Sequence, residues 1–108
     1  MTTNEIREVV KIVLDELEQR RQLKEEDYRH ILQVVEPELK RFFNKEKNTI
    51  DGILKQLSDD AYIDIIYLHY RDNYKLEFIA EVMSRDVSTI KRNKKRLIRR
   101  IYELQRWI

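Results

Sequence analysis

The sequence predicts an all-α protein. Gly and Pro each occur once in 108 residues, which is too few for the turns of a β-rich fold, and 42% hydrophobic residues are too many for a disordered chain. Apolar residues also recur at the three- and four-residue spacing that marks one face of a helix. The length suits a single domain with one modest core.

Residues 1–57 are predicted to be helical, and no motif lies within them. A first helix is expected over residues 4–21, and a second follows with an apolar face formed by Tyr28, Ile31, Leu32 and Val35. Pro37 lacks an amide hydrogen and disfavours helix at the residue before it, so we expect a break or kink there. Helical spacing resumes from Leu39 to Leu57.

Residues 58–108 are predicted to contain three further helices. The first ends near Asn73, a residue type that tolerates the left-handed conformation at a helix end. A short helix over residues 75–83 and a turn at 84–86 come next. Asp86 is expected to accept hydrogen bonds from the amides that open the last helix. The inward side of that helix is predicted to comprise Ile90, Leu97, Ile101, Leu104 and Ile108.

Positive charge is concentrated in the last predicted helix. Residues 1–60 carry 11 Lys/Arg and 14 Asp/Glu, a net charge of −3, whereas residues 61–108 carry 11 and 6, a net charge of +5. On a helical wheel with Ile90 at zero, one set of side chains projects at about 100° to 240°, opposite the apolar sector: Ser88, Lys91, Arg92, Lys95, Arg96 and Arg99. No acid lies between residues 91 and 100 to pair with this set, which favours a polyanionic partner over a merely solvated face.

The segment YKLEFIAEVMSRDVSTIKRNKKRLIRRIYEL, residues 74–104, resembles the helix-turn-helix of sigma-70 region 4. Ile79 and Ala80 match the I-A pair of that pattern, and Thr89 with Ile90 matches the T-V that opens its recognition helix. Further matches are Met83 for the following Leu and Asp86 for the capping Ser. Two positions depart from the pattern. Ser84 replaces the turn Gly and is expected to adopt positive φ, and Arg85 replaces an inward Ile or Val, so Val87 is expected to supply the apolar contact.

The resemblance implies a fold and a function. The expected architecture is a helical N-terminal segment followed by a sigma region 4-like helix-turn-helix, and the chain looks like the phage ArpU and RinA type of transcriptional regulators. These activate phage or prophage late genes by binding double-stranded DNA in the major groove. The DNA-binding residues are predicted to be Lys75, Ser88, Thr89, Lys91, Arg92, Lys95, Arg96 and Arg99.

Two roles are open for residues 1–57, which are predicted to serve assembly or to contact RNA polymerase. An imperfect seven-residue repeat of apolar residues, interrupted by Pro37, favours a homodimer through these helices. The repeat comprises Tyr28, Leu32, Val35, Leu39 and Phe42. Two recognition helices would raise both affinity and specificity. The alternative is that these helices pack back on residues 58–108 as part of one core.

Other functions are weighed against DNA binding. We expect no enzymatic activity and no cofactor, because the sequence contains no Gly-rich phosphate loop, nucleophile motif, cysteine or metal-ligand spacing, and His30 and His69 are isolated. A cytoplasmic protein with no membrane partner is expected, since no apolar run is long enough to span a bilayer. The tyrosines 62, 67, 70 and 74 are expected to pack in or near the core rather than to stack on bases. The rival hypotheses are a small-terminase-like DNA-packaging protein and a helical adaptor that binds RNA polymerase or another protein.

Overall fold

The structure, a computed structural model, describes residues 27–106. The chain divides into two compact units, residues 1–30 and 31–108, and apart from residues 27–30 the features below belong to the second. The regular secondary structure within the described residues is entirely helical, which confirms the all-α prediction. The helix predicted over residues 4–21 and the core position predicted at Ile108 lie outside the described residues.

Helix α1 runs through the proline that was expected to interrupt it. The described chain is helical from residue 27 to residue 43, with Pro37 inside, so of the predicted break or kink the break is wrong. The proline ring removes one backbone hydrogen bond of the helix. Val35 and Leu39, on either side of it, have no exposed surface. Burial of these two side chains holds the segment in helical conformation despite the missing bond.

A left-handed residue ends α1. Lys45 has a φ of 65°. Its amide donates to the carbonyl oxygen of Phe42, and the amide of Glu46 donates to that of Arg41, at 3.1 and 3.0 Å. This pair of bonds is the Schellman motif, which satisfies carbonyl groups that would otherwise lack partners.

Helix α2, Ile50–Gln56, packs on the C-terminal part of the chain. Its side chains Ile50, Ile53 and Leu54 are buried, and the helix contacts the last helix of the protein. The division made in the sequence analysis between residues 1–57 and 58–108 therefore falls inside one compact unit. For residues 31–57 the structure corresponds to the alternative in which these helices join one core.

The next helical segment changes its hydrogen-bonding pattern along its length. Helix α3, Asp64–Ile66, continues directly into a π-helical turn, Tyr67–Arg71. The amide of Asp72 donates to the carbonyl oxygen of Tyr67 at 3.1 Å, five residues back. Asn73 then takes a φ of 60°, which confirms its predicted left-handed conformation. The π-helical turn was not predicted, since no local sequence signal distinguishes it from an α-helical turn.

Helix α4, Leu76–Met83, and helix α5, Val87–Arg106, are joined by a tight turn. Ser84 has φ 54° and ψ 46°, which confirms the positive φ expected at this position. Its amide donates to the carbonyl oxygen of Glu81 at 3.2 Å, and the amide of Arg85 donates to that of Ala80 at 2.9 Å. The same Schellman geometry that ends α1 thus sets the corner before α5.

The start of α5 differs from the expectation in one respect. Asp86 was expected to accept hydrogen bonds through its carboxylate. In the described part of the chain its side chain accepts none, and its backbone carbonyl oxygen accepts the amide of Ile90 at 3.1 Å. Helical bonding thus begins at the backbone of Asp86 without the predicted side-chain cap.

Substituting Ser84 tests the strain stored in this turn. Ser84→Gly should raise the free energy of unfolding by about 0.5–1 kcal/mol, because glycine adopts positive φ without the steric penalty of a β-carbon. Ser84→Val should lower it, since a β-branched side chain is strained there. Urea unfolding followed by circular dichroism measures both, and equal stabilities of the two variants would contradict the turn geometry.

The core beneath the α4–α5 corner is formed by four buried side chains, Ile65, Ile79, Ala80 and Ile90, with Val87 packed against them. Val87 therefore supplies the apolar contact expected of it in place of Arg85, which is exposed. Helix α5 contacts α2, α3 and α4. Its buried residues are Ile90, Leu97, Ile98 and Ile101, whereas Leu104, also predicted to be inward, is half-buried.

Candidate nucleic-acid interface

Helix α5 has one buried side and one cationic side, as its sequence pattern predicts. The residues with no exposed surface repeat at positions 90, 97, 98 and 101, and contacts with three other helices fix this orientation. Basic side chains project from the other side because residues three and four apart share a helix face. We call the side chains Ser88, Lys91, Arg92, Lys95 and Arg99 the cationic face.

The cationic face is most accessible near the beginning of α5. Ser88, Lys91 and Arg92 are exposed, and Thr89 beside them is half-buried. Among residues 27–106, neither Lys91 nor Arg92 forms an ion pair. Lys95 and Arg99 lie further along the helix and are half-buried, and each has an interaction partner. A ligand at this surface would therefore meet Lys91 and Arg92 with their charges uncompensated.

Arg96 differs from its neighbours because a carboxylate holds it. Its two terminal nitrogens donate to the two carboxylate oxygens of Asp60, at 2.7 and 2.9 Å. Its Nε donates to the side-chain oxygen of Asn93 at 3.2 Å. No acidic residue lies between residues 91 and 100, but the fold brings Asp60 to Arg96 from 36 positions away. The charge of Arg96 is therefore compensated within the protein.

Asp60 is fixed on both sides. One of its carboxylate oxygens also accepts the amide of Tyr62, at 2.9 Å, which caps the turn leading into α3. The Arg96 guanidinium, by donating hydrogen bonds, holds the pKa of the Asp60 carboxyl below its ordinary value, and the Tyr62 amide lowers it further. Burial opposes this shift of the pKa without reversing it. Asp60 is thus a carboxylate at neutral pH.

Lys94 points toward the protein rather than toward the cationic face. Its Nζ lies 5.8 Å from the centre of the Tyr70 ring, and the Tyr70 hydroxyl donates to Glu36 at 2.7 Å. Burial lowers the pKa of Lys94, and the negative charge of Glu36 partly offsets that shift. Lys94 lies at about 40° from Ile90 on the helical wheel, so helical periodicity also places it on the buried side of α5.

Lys75, the predicted phosphate contact outside α5, lies at the beginning of α4. It is exposed, its backbone is extended at φ −69° and ψ 152°, and its carbonyl oxygen accepts the amide of Ile79 at 3.1 Å. Lys75 and the first free amides of α4 are therefore at the same helix end, where an anion is stabilised. The predicted DNA-binding residues thus fall on two elements, Lys75 before α4 and the others on α5 between residues 88 and 99.

The remaining aromatic and histidine predictions have mixed outcomes. Tyr62 and Tyr67 are half-buried and Tyr70 is buried, as expected for packing residues, but Tyr74 is exposed, with its ring centre 4.8 Å from that of Phe78. His69 contacts the carbonyl oxygen of Tyr74 through Nδ1 at 2.8 Å. Within residues 27–106, no group of three or more His, Asp or Glu side chains is arranged to hold a metal ion. No helix in that range is long and apolar enough to cross a membrane.

Comparison with known proteins leaves this chain without an assigned relative. No family model matches it, and neither does any curated protein or solved structure.

Proposed function

We propose that this protein is a sequence-specific DNA-binding transcriptional regulator that inserts helix α5 into the major groove. Helices α4 and α5 would act as a helix-turn-helix, in which the first helix supports the second against the duplex. The resemblance of residues 74–104 to sigma-70 region 4 supports this proposal. The resemblance of the chain to phage and prophage late-gene activators supports it as well.

The observation that carries the proposal is the separation of charge from apolar surface on α5. Ile90, Leu97 and Ile101 anchor one side of the helix in the core, while Lys91 and Arg92 project from the other side with no acidic partner among the described residues. A helix held in this way can present cations to phosphates without reorganising its own packing. Each phosphate neutralised by a cation releases condensed counterions and strengthens binding.

The individual roles follow from position on α5. Ser88, Thr89 and Arg92 near its beginning are assigned to base edges, because the first turns of a recognition helix enter the groove. Lys91 and Lys95 are assigned to nearby base edges as well. Four cations are assigned to flanking phosphates: Lys91, Arg92, Lys95 and Arg99. Lys75 would contact a backbone phosphate together with the amides that open α4.

Oligomerisation is a second part of the proposal. Val35 and Leu39, the centre of the seven-residue repeat, are buried in the core of one chain and are not accessible to a partner copy. A homodimer would therefore use other surfaces, and its two recognition helices would read half-sites about 34 Å apart. Mass measurement in solution separates a monomer or dimer from a ring of eight or more subunits, which would indicate a packaging protein. Contact with RNA polymerase is proposed for residues 1–57.

The proposal is tested by equilibrium binding of the full chain to a labelled random-sequence duplex over a range of salt concentrations. We expect binding at low salt that weakens with a slope of log K against log salt near −0.9 per phosphate contacted, or about −3 to −5 for the residues named above. Selection of bound fragments from a random pool then reports sequence preference and half-site spacing. Absence of duplex binding at low salt would refute the function and leave the protein-binding adaptor as the remaining hypothesis.

A further inference from the structure

The ion pair between Arg96 and Asp60 joins the cationic side of α5 to the connection that precedes α3. Arg96 lies one turn after Arg92 on α5, at the edge of the cationic face. Asp60 approaches that edge from a different element, with its side chain 20% exposed, while that of Arg96 is 48% exposed. A negative charge is thus built into the margin of the surface proposed to meet DNA.

The geometry of the pair determines what else Arg96 can bind. A guanidinium recognises a phosphate best through two parallel N–H groups, and the same edge recognises a carboxylate. Asp60 occupies the edge formed by the two terminal nitrogens, and Asn93 accepts from Nε. A phosphate can engage the terminal edge of this arginine only by displacing Asp60, and the Nε edge only by displacing Asn93.

We propose that Asp60 competes with DNA phosphates for Arg96 and thereby limits the sequence-independent affinity of the protein for duplex DNA. This inference rests on the proposed function. Sequence-independent binding comes from cations that exchange condensed counterions for phosphates. Arg96 makes no such contribution while its charge is compensated by Asp60, and the Asp60 carboxylate repels nearby phosphates. The pair therefore weakens binding to arbitrary sequences more than binding that depends on base contacts.

The substitution Asp60→Asn isolates this effect. Asparagine keeps the side-chain oxygen that accepts the Tyr62 amide, but it lacks the negative charge that holds Arg96. With a random-sequence duplex as the probe, we expect this variant to bind about five times more tightly than wild type near 0.15 M salt. The slope of log K against log salt should become steeper by about 0.9, the value for one additional phosphate contact.

Two controls separate the pair from a general effect of charge. Asp59→Asn removes the same charge from the adjacent, exposed position and should change affinity much less. In an Arg96→Gln background, Asp60→Asn should produce a much smaller gain, because only the repulsion between the carboxylate and phosphates is then removed and no arginine is released. An equal gain for Asp59→Asn and Asp60→Asn, or an undiminished gain and slope change without Arg96, would overturn the inference.

A measurement without DNA makes the two possible failures distinguishable. The pKa of the Asp60 carboxyl, followed by carbon NMR, should lie below the ordinary value of 3.8 in wild type and rise toward it in Arg96→Gln. An unchanged pKa would overturn the inference directly. If the ion pair is present but neither wild type nor Asp60→Asn binds duplex DNA, the proposed function fails and the inference falls with it. If wild type binds and Asp60→Asn binds with the same salt slope, only the inference fails.

Discussion

Replacing Lys91, Arg92 and Lys95 together by Ala should weaken binding to duplex DNA about a hundredfold near 0.15 M salt. These side chains project from consecutive turns of α5 on the side opposite Ile90. Removing one cation that neutralises a phosphate should make the slope of log K against log salt shallower by about 0.9, so the slope of the triple variant should be shallower by about 2.7. The helix itself should persist, since Ala favours helical conformation.

A matched variant distinguishes the local role of α5 from that of overall charge. Lys40, Lys47 and Lys55 are exposed and lie on α1, the following connection and α2. Replacing these three by Ala lowers the formal charge by the same amount but leaves the cationic face intact. Titration of both variants with the same duplex, with circular dichroism as the measure of folding, completes the comparison. Similar decreases in affinity in the two variants would show that overall charge, rather than α5, governs binding.

Leu97→Ala should destabilise the protein by about 2–5 kcal/mol, which is a large share of the stability of a domain of this size. The Leu97 side chain has no exposed surface, and α5, the helix that carries it, contacts α2, α3 and α4. Truncation removes buried apolar surface and leaves a cavity that the surrounding helices can only partly close. Because α5 also bears the cationic face, DNA binding should decline as the folded population declines.

Leu104→Ala is the matched control for this prediction, since it removes the same atoms from the same helix. Leu104 is half-buried, so its truncation removes less buried apolar surface and leaves a smaller cavity than truncation of Leu97. Urea unfolding should place the Leu97 variant well below the Leu104 variant in free energy of unfolding. Equal destabilisation would mean that α5 is not seated in the core as the structure places it.

The bounds of α4 and the corner that follows it were predictable because local chemistry determines them. The predicted helix over residues 75–83 differs from α4, Leu76–Met83, by one residue. The corner depends on Ser84, whose positive φ follows from its place at a helix end. The separation of Ile90 and Leu97 from the basic side chains likewise follows from helical periodicity alone.

Interactions between distant parts of the chain could not be predicted in the same way. Apolar periodicity shows that α1 and α2 have a face to bury, but not which surface covers it, and the structure places α2 against α5. Packing on both sides of Pro37 also overrides the local preference for a break. The pairing of Arg96 with Asp60 depends on tertiary structure, because no sequence spacing connects two residues 36 positions apart.

Tyr70 gives α5 a mechanical connection to α1. Its hydroxyl is bonded to Glu36 of α1, and its ring lies beneath the ammonium group of Lys94 of α5. A tilt of α5 would stretch or break one of these contacts, so the orientation of α5 is set partly by α1. If α5 is the recognition helix proposed above, changes in α1 would alter the angle at which it meets a duplex.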